Sequence, residues 1–564
     1  MRHAVTLVVL ATLVLAGGPP LRADERLQAA ALPGGGIRAD NVAAHLRMLA
    51  SDEFEGRAPA SAGEDKTVAY LVEQFRKAGL RPAGEGGDWT QAVEMDRTTI
   101  DGDVALAITS DGKTRALVHG DDAVVQTLHP GGRVHLEDAP MVFVGFGIVA
   151  PELGWNDYAG VDLRGKVAVV LVNDPDFEAP QPGLFGGRAL TYYGRWTYKY
   201  EEAARQGASG VLLVHETAPA AYGWITARNG GLGPQLDIVR DDPARVHVPL
   251  RGWIQRDLAV SLFKDAGLDF EAAKRQAQQP GFTAVVLRGT TLSVDFATRR
   301  DRVSSRNVLG VLTGATRAGE TVIVSGHWDG FGMGPPDASG DRIYNAAVDN
   351  ATAIASMIEL ARVFSAGPPL QRSLLFLATT AEEKGLLGAM HYAAHPARPL
   401  ATTAAVLNME MWSPDGPARD IAAWGDGKVS LQQDLARAAA VDGRTSSPDP
   451  DLSVGLFYRA DHFAFAKAGV PGITVGPGMD QLDGGKAGGV AARAEYFARR
   501  YHQPGDEFSG AWDMRGPVAD ITTMYHLVHG IADSAAWPTW NADSEFRAER
   551  EKSAAGRAAD GATR

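Results

Sequence analysis

Three apolar stretches in the C-terminal half of this chain run straight into acids or histidine. "TVIVSGHWDG" ends in His327 and Asp329, "SLLFLATTAEEKGLLG" carries Glu382 and Glu383, and "TAAVLNME" ends in Glu410. Short, continuously apolar runs predict strands buried on both faces, as in a parallel sheet covered by helices. Between the first two, "NATAIASMIELARVFSAG" places Ile354, Met357, Ile358, Ala361 and Phe364 on one helical face. "NVLGVLTG" and "GITVG" supply further strands. This alternation predicts an α/β fold: a mixed, largely parallel sheet flanked by helices. Ligands bind such sheets beyond the carboxyl ends of the strands, which is where the polar groups fall.

Acids suit the first turn of a helix, and Lys384–Ala394 reads as a helix that Glu382 and Glu383 would open. Asp349, just before the helix at Ala351, would pass as a cap, and His327 or His502 singly as a hydrogen-bonded histidine. Capping does not explain why successive strands end in acid or histidine. Carboxylates crowded at one sheet edge repel unless a cation lies between them. Imidazole nitrogens and carboxylate oxygens without thiolate suit a pair of divalent metal ions.

The rest of the chain divides by pattern. Arg2 precedes an uncharged apolar run from Ala4 to Ala16, then Gly, Pro and Ala23. That is the pattern of a signal peptide over 1–23, too short to span a bilayer, and it predicts an exported protein, periplasmic or secreted. With no Cys among 564 residues, neither a lipoprotein anchor nor a disulfide is available. A polar leader covers 24–36. The N-terminal part of the main domain, 37–140, begins with two amphipathic helices, the first with Val42, Leu46, Leu49 and Ala50 in register and Asp40 or Asn41 as its cap. From 141 to 289, short strands between Gly/Pro turns predict a small β-rich insertion, and the main domain resumes over 290–540. The charged, Ala-rich tail, 541–564, predicts fraying. A net charge of -13 with no basic cluster disfavours a nucleic-acid partner.

The motifs "SGHWDG", "NAAVDNATAIA", "TTAEEKGLLG", "NMEM" and "YHQPGDE", in this order between residues 325 and 507, resemble the M28 family of metallopeptidases, the co-catalytic two-zinc aminopeptidases and carboxypeptidases. The likeness extends over roughly 40–110 and 300–535. It implies a zinc exopeptidase fold, two divalent metal ions, zinc in that family, and peptide substrates. It implies that His327 binds the first metal, that Asp349 bridges, and that Glu383 and His502 bind the second. Glu410 takes the place of an Asp in the first metal's set, one methylene longer. Glu382 stands as general base, Asp329 as the carboxylate that orients His327, and the bond Asp349–Asn350 as cis. The base would act on a water bridging the metals and return its proton to the leaving amine.

Residues 141–289 resemble the protease-associated (PA) domain inserted in many members, through "GVDLRGKVAVVLVND" and "YKYEEAARQGASGVLLVHE". Within it "YYGRWTYKYEE", Tyr192–Glu202, reads as helix-edge packing, or else as a wall for substrate side chains or a terminal carboxylate. "YRADHFAFAKAGVPGITVG" resembles the segment near the substrate pocket: Tyr458 is a candidate oxyanion donor, and Asp461 and His462 are candidates for holding substrate or a buried structural pair. An aminopeptidase is the first expectation, because no tight Arg cluster adjoins the ligand motifs, Arg459 being the nearest. A carboxypeptidase, dipeptidase or acyl-amino-acid hydrolase on the same scaffold is the alternative. A non-catalytic receptor is the alternative of another class.

Overall fold

A computed structural model describes residues 32–178, 184–425, 427–542, 544–555 and 557. The expected signal peptide lies outside them. Among the described residues no helix is long and apolar enough to cross a membrane. Two helices come first, α1 (Ala39–Leu49) and α2 (Ala62–Lys77). α1 buries Val42, Leu46 and Leu49 as their spacing predicts. Its cap differs: the helix opens after Arg38, whose N–H donates to Glu359, and the Asn41 side chain donates to the same carboxylate. A buried acid on another helix thus does what a local cap would have done.

The strands then follow as β1 (Thr90–Ser110), β2 (Ala123–Gln126), β3 (Arg133–Phe143), β4 (Val167–Leu171), β5 (Gly210–His215), β6 (Leu250–Gln255) and β7 (Val285–Leu312). β8 (Arg317–His327), β9 (Arg372–Thr379), β10 (Thr403–Met409), β11 (Asp420–Trp424), β12 (Thr445–Ser447) and β13 (Gly472–Pro477) complete the set used here. All join one sheet, with β12–β11–β13–β10–β8–β9–β7 at one end and β7–β3–β4–β5–β6–β2 at the other. β8 is parallel to β9 and β10, and β10 to β13. β11 is antiparallel to β13, and β7 to β9. The architecture is the expected mixed, largely parallel α/β sheet.

β9 shows why the site half folds this way. Leu374, Phe376 and Ala378 enter the core with α1, α2 and α4 (Thr352–Ser365), while Leu375 and Leu377 enter the opposite cluster with Ala389, Tyr392 and Phe465. Alternate side chains leave opposite faces of a strand. Both faces are covered, so no polar residue interrupts the run until Thr379.

The two long strands join the two ends. β1 runs antiparallel along β7 from the pair Thr90–Val308 to the pair Ser110–Thr290, with a register shift between Asp295 and Ala297. One end of this ribbon lies in the core of the larger domain and the other in the small domain. The expected boundaries at 141 and 290 therefore move: Leu106, Ile108, Leu117, Val125 and Val134 already belong to the core that holds Met141 and Phe143. Neither crossing coincides with a turn, because both lie inside a continuous strand.

The described part of the tail, as far as residue 557, also departs from expectation. Phe546 is buried against Trp540, and Arg550 donates to the carbonyls of Leu400 and Thr403. An aromatic ring and a buried guanidinium anchor a segment whose composition alone predicts fraying.

Candidate metal centre

His327 is the last residue of β8, and the neighbouring strands β9 and β10 end at Thr379 and Met409. Glu382, Glu383 and Glu410 follow them within a few residues. The helix after the glutamate pair starts only at Leu387, so neither acid sits in a helical first turn. They occupy a tight turn, with Ala381 at φ 52° and Leu386 at φ 63°. Asp349 lies in the irregular turn before α4, and the Asp349–Asn350 bond is cis. His502 lies past α6 (Gly485–Arg499), at φ 58°.

The structure brings His327, Asp349, Glu383, Glu410 and His502 together. His327 Nε2 stands 3.1 Å from Asp349 Oδ1 and 3.5 Å from Glu410 Oε2. His502 Nε2 stands 3.3 Å from Asp349 Oδ2 and 3.2 Å from Glu383 Oε2. Asp349 thus offers one oxygen to each histidine. Glu382 Oε2 lies 3.9 Å from His327 Nε2, at the margin of the first group.

Supporting contacts fix these ligands. The Asp329 main-chain oxygen lies 3.1 Å from His327 Nδ1. A proton on Nδ1 satisfies that contact and leaves the Nε2 lone pair facing the carboxylates, the tautomer a metal ligand needs. The Asp329 carboxylate accepts the N–H groups of Glu382 at 3.0 Å and Glu383 at 3.3 Å. Its Oδ1 stands 3.6 Å from His327 Nδ1, too far for a hydrogen bond. Asp329 therefore orients the glutamate turn directly, and His327 through its backbone. Glu410 is tethered by two amides: Oε1 accepts from Asn408 at 3.0 Å and Oε2 from Asn350 at 2.6 Å.

Two residues outside the expected set hold the turn at Asp349. Asp506 accepts the N–H groups of Val348 at 3.0 Å and Asp349 at 3.1 Å. Arg57, buried, donates to the carbonyls of Leu49, Trp328, Asn345 and Ala346. Asp506 sits inside "YHQPGDE", where two conspicuous acids left its role open. Arg57 gave no sequence signal, because four carbonyl partners leave no trace in residue type.

Protein charges alone leave this cluster strained. Burial, reinforced by Glu383, Glu410 and Asp461, pushes Glu382 far above the usual carboxylate range, against the pull of His327. Burial and Asp349 do the same to Glu383. Burial opposes ionisation of Asp349, but the two imidazoles beside it, His327 and His502, outweigh it and hold the group low. Glu383 Oε1 and His502 Nε2 are buried with no hydrogen-bond partner. Buried orphans of complementary ligand type, converging with an ionised carboxylate, fit a divalent cation. Three overlapping groups have ligand atoms close enough to share an ion: His327, Asp349 and Glu410; His327, Glu382 and Glu383; and Asp349, Glu383 and His502.

Residues 307–524 match Peptidase family M28. All five residues of the cluster lie in this M28 segment, together with Glu382 and Asp329. Two fungal proteins described as probable zinc metalloproteases are similar to it in part. The one from Pyrenophora teres f. teres (strain 0-1) is 33% identical over 109 residues, 19% of this chain and 23% of that protein. The one from Pyrenophora tritici-repentis (strain Pt-1C-BFP) is 32% identical over 109 residues, 19% and 24% respectively. The chain spans about a quarter of the length of these curated relatives. Among solved structures, an aminopeptidase from Aneurinibacillus sp. strain AM-1 is similar over 89% of this chain and 95% of its own, with a TM-score of 0.51 and 20% identity. That likeness is one of fold, and it reaches well beyond the M28 segment.

The candidates for touching substrate are buried and bonded elsewhere, which for Asp461 and His462 is the structural alternative. The Tyr458 hydroxyl donates to Glu545 at 3.0 Å, and its ring is buried among Tyr192, Phe457 and Phe463. Asp461, fully buried, accepts from Thr379, and burial pushes its carboxyl up to about 7. The His462 ring, also fully buried, pairs with Thr474 at 2.7 Å, and burial pushes it down to about 3. Asp461, through Thr379 at the end of β9, braces the strand end that pairs with His327. The groups that border the cluster instead are Tyr501, whose ring stacks on His502 at 3.7 Å, and Phe331, 4.4 Å from the same ring. Between Val348 and Met411, neighbours of two cluster residues, opens an apolar pocket lined also by Trp424, Met479, Tyr496 and Phe497.

Proposed function

We propose that the protein is an exported, zinc-dependent exopeptidase, an aminopeptidase with an inserted protease-associated domain, that removes apolar N-terminal residues from peptides. The observation that carries this reading is Asp349, with one oxygen toward His327 and the other toward His502. His327, Asp349 and Glu410 would hold one ion, and Asp349, Glu383 and His502 the other. When bound, the ions would polarise the scissile carbonyl and acidify a water. The M28 match and the printed descriptions of the fungal relatives support zinc and peptide hydrolysis.

The chain's own residues supply the rest. Glu382, raised by burial and by its acidic neighbours, accepts the proton from the attacking water and delivers it to the leaving nitrogen. The Asp329 carboxylate, gripping the N–H groups of Glu382 and Glu383, keeps base and ligand in fixed relation. The apolar pocket beside Met411 receives the side chain on the acyl side, and the surplus of carboxylates suits the free amine. Hydrolysis breaks one C–N bond and consumes one water. A receptor reading has less support, because no position in the cluster has lost its ligand atom. Export rests on the leader pattern.

Purified protein loaded with zinc should cleave leucyl- and methionyl-anilides and lose that activity to a chelator. It should leave their N-acetyl forms intact. Cleavage of the blocked forms alone, or of neither in the presence of zinc, would overturn the aminopeptidase reading.

A further inference from the structure

Asp506 ties the turn at Asp349 to the apolar pocket. Its Oδ1 accepts from Val348 N at 3.0 Å and its Oδ2 from Asp349 N at 3.1 Å. Oδ2 also accepts from the Tyr496 hydroxyl at 3.2 Å. Its main-chain carbonyl accepts from Ala347 N at 2.9 Å. Val348 and Tyr496 are two walls of the pocket. One carboxylate therefore grips both walls together with the residue that faces both imidazoles of the centre. Val348, Asp349, Tyr496 and Asp506 are all buried, so parting any of these bonds leaves a desolvated polar group unpaired.

The same tyrosine reaches His502 by a second route. Tyr496 lies in the last turn of α6, and Tyr501 N donates to its carbonyl at 2.9 Å. The Tyr501 ring meets the Tyr496 ring edge-on, with centroids 6.0 Å apart, and stacks on His502 at 3.7 Å. The pocket by itself calls for none of this. A phenylalanine in place of Tyr496 would present the same apolar wall, and the hydroxyl serves Asp506 alone.

We infer that Tyr496 and Asp506 couple the side-chain pocket to the ion position formed by Asp349, Glu383 and His502. An apolar side chain in the pocket braces Val348 and Tyr496, and through Asp506 it fixes the Asp349 carboxylate. Zinc and the side chain then each bind more tightly in the presence of the other, because coupling between two sites is reciprocal. Both residues act through Asp349 and are positioning residues. This coupling rests on the exopeptidase reading above, which puts zinc and an apolar N-terminal side chain in these places. An N-terminal Gly leaves the pocket empty and forgoes the coupling, so selectivity for apolar residues exceeds what the pocket's own contacts supply.

The test measures zinc affinity by chelator competition on the full chain, alone and with 3-methylbutan-1-ol. That alcohol carries the leucine side chain without an amine or a carboxylate; ethanol controls for its hydroxyl, and calorimetry reports its binding. It should tighten one zinc by about 5-fold, the lower range for coupled sites, and ethanol should not. Tyr496→Phe should still bind the alcohol, hold that zinc roughly 10–100-fold more weakly and no longer respond to the alcohol. In kinetics, leucyl-anilide should reach half-maximal cleavage at a lower zinc concentration than glycyl-anilide, and in Tyr496→Phe the two concentrations should coincide. Binding of the alcohol with zinc affinity unchanged overturns the coupling and leaves the apolar pocket in place. A response that survives in Tyr496→Phe, or that ethanol matches, also overturns it. An alcohol that does not bind at all removes the pocket's part in the exopeptidase reading, and the coupling with it.

Discussion

At the residue scale, Glu382 and Glu383 are adjacent in sequence but differ in surroundings. Glu383 faces His502 at 3.2 Å, whereas Glu382 stands at 3.9 Å from its nearest imidazole nitrogen. Glu382→Gln should keep the bound zinc and lower kcat by at least about 10²-fold, the lower range for loss of a general base. Glu383→Gln should release part of the zinc and regain activity as zinc is added. Metal analysis beside kinetics separates the two, and equal zinc loss in both variants would make Glu382 a ligand. Glu410 yields a sharper test. The amides of Asn408 and Asn350 meet a side chain one methylene longer than an Asp would offer at this position. Glu410→Asp should therefore weaken one zinc by roughly 10–100-fold, the usual cost of disturbing groups that orient a ligand. Chelator competition reads this, and equal or tighter binding would show that the amides do not select the longer arm.

His327, Glu383 and Glu410 were legible because each closely follows an apolar run, so that a polar residue at the rim stands out against its strand; Asp349 and His502 lie in turns and were legible through the motifs around them. Tyr458, Asp461 and His462 were harder to read, and Asp461 and His462 were left open between substrate and structure. The structure buries all three, at the end of one short helical turn, Leu456–Tyr458, and the start of the next, His462–Lys467. Type and proximity name a chemistry; they do not say which face of a turn carries it.

At the element scale, the small domain's sheet shows how far burial overrides composition. Asp157 is buried beneath β4, accepting from Ile148 N at 3.0 Å and Trp155 Nε1 at 2.8 Å. Burial pushes its carboxyl up to about 7, with Lys199 pulling the other way. In the unfolded chain the group titrates near 4, roughly. Between those values the folded chain binds more protons than the unfolded one, so stability falls as pH rises through that window. Asp157→Asn does not ionise. Its melting temperature, compared with that of the unaltered protein, should shift in the variant's favour between about pH 5 and pH 7.5. A difference that stays constant across this range would mean that the Asp157 carboxyl titrates normally. No such burial was legible, since "NDY" reads as a surface turn. The strands themselves were legible, being continuous apolar runs, as was α1 from its period.

At the scale of the whole molecule, the domain boundaries were hidden, because both crossings lie inside one long ribbon. Leu190 and Tyr192 of the small domain pack on Leu452 and Phe463 of the larger one, a contact that distance in sequence conceals. Gly455→Val should wedge this interface open, since the position is at φ 61° and already crowded by Leu190. The expected result is unchanged zinc content with a lowered melting temperature. An unaltered melting temperature would show that this contact does not hold the two domains together.

The ribbon of β1 and β7 also bears on how the chain reaches its native state. Residues 37–89 must find a sheet whose strands begin some two hundred residues later, and closing so long a loop carries an entropic cost. The small domain removes most of it. Its strands, from the far end of β1 to the start of β7, are contiguous in the chain and pair among themselves. Once they do, Thr90 and Val308 become neighbours at the near end of the ribbon. The insertion then acts as a zipper that brings the severed halves of the larger domain into register, and nucleation of the outer sheet becomes a local event.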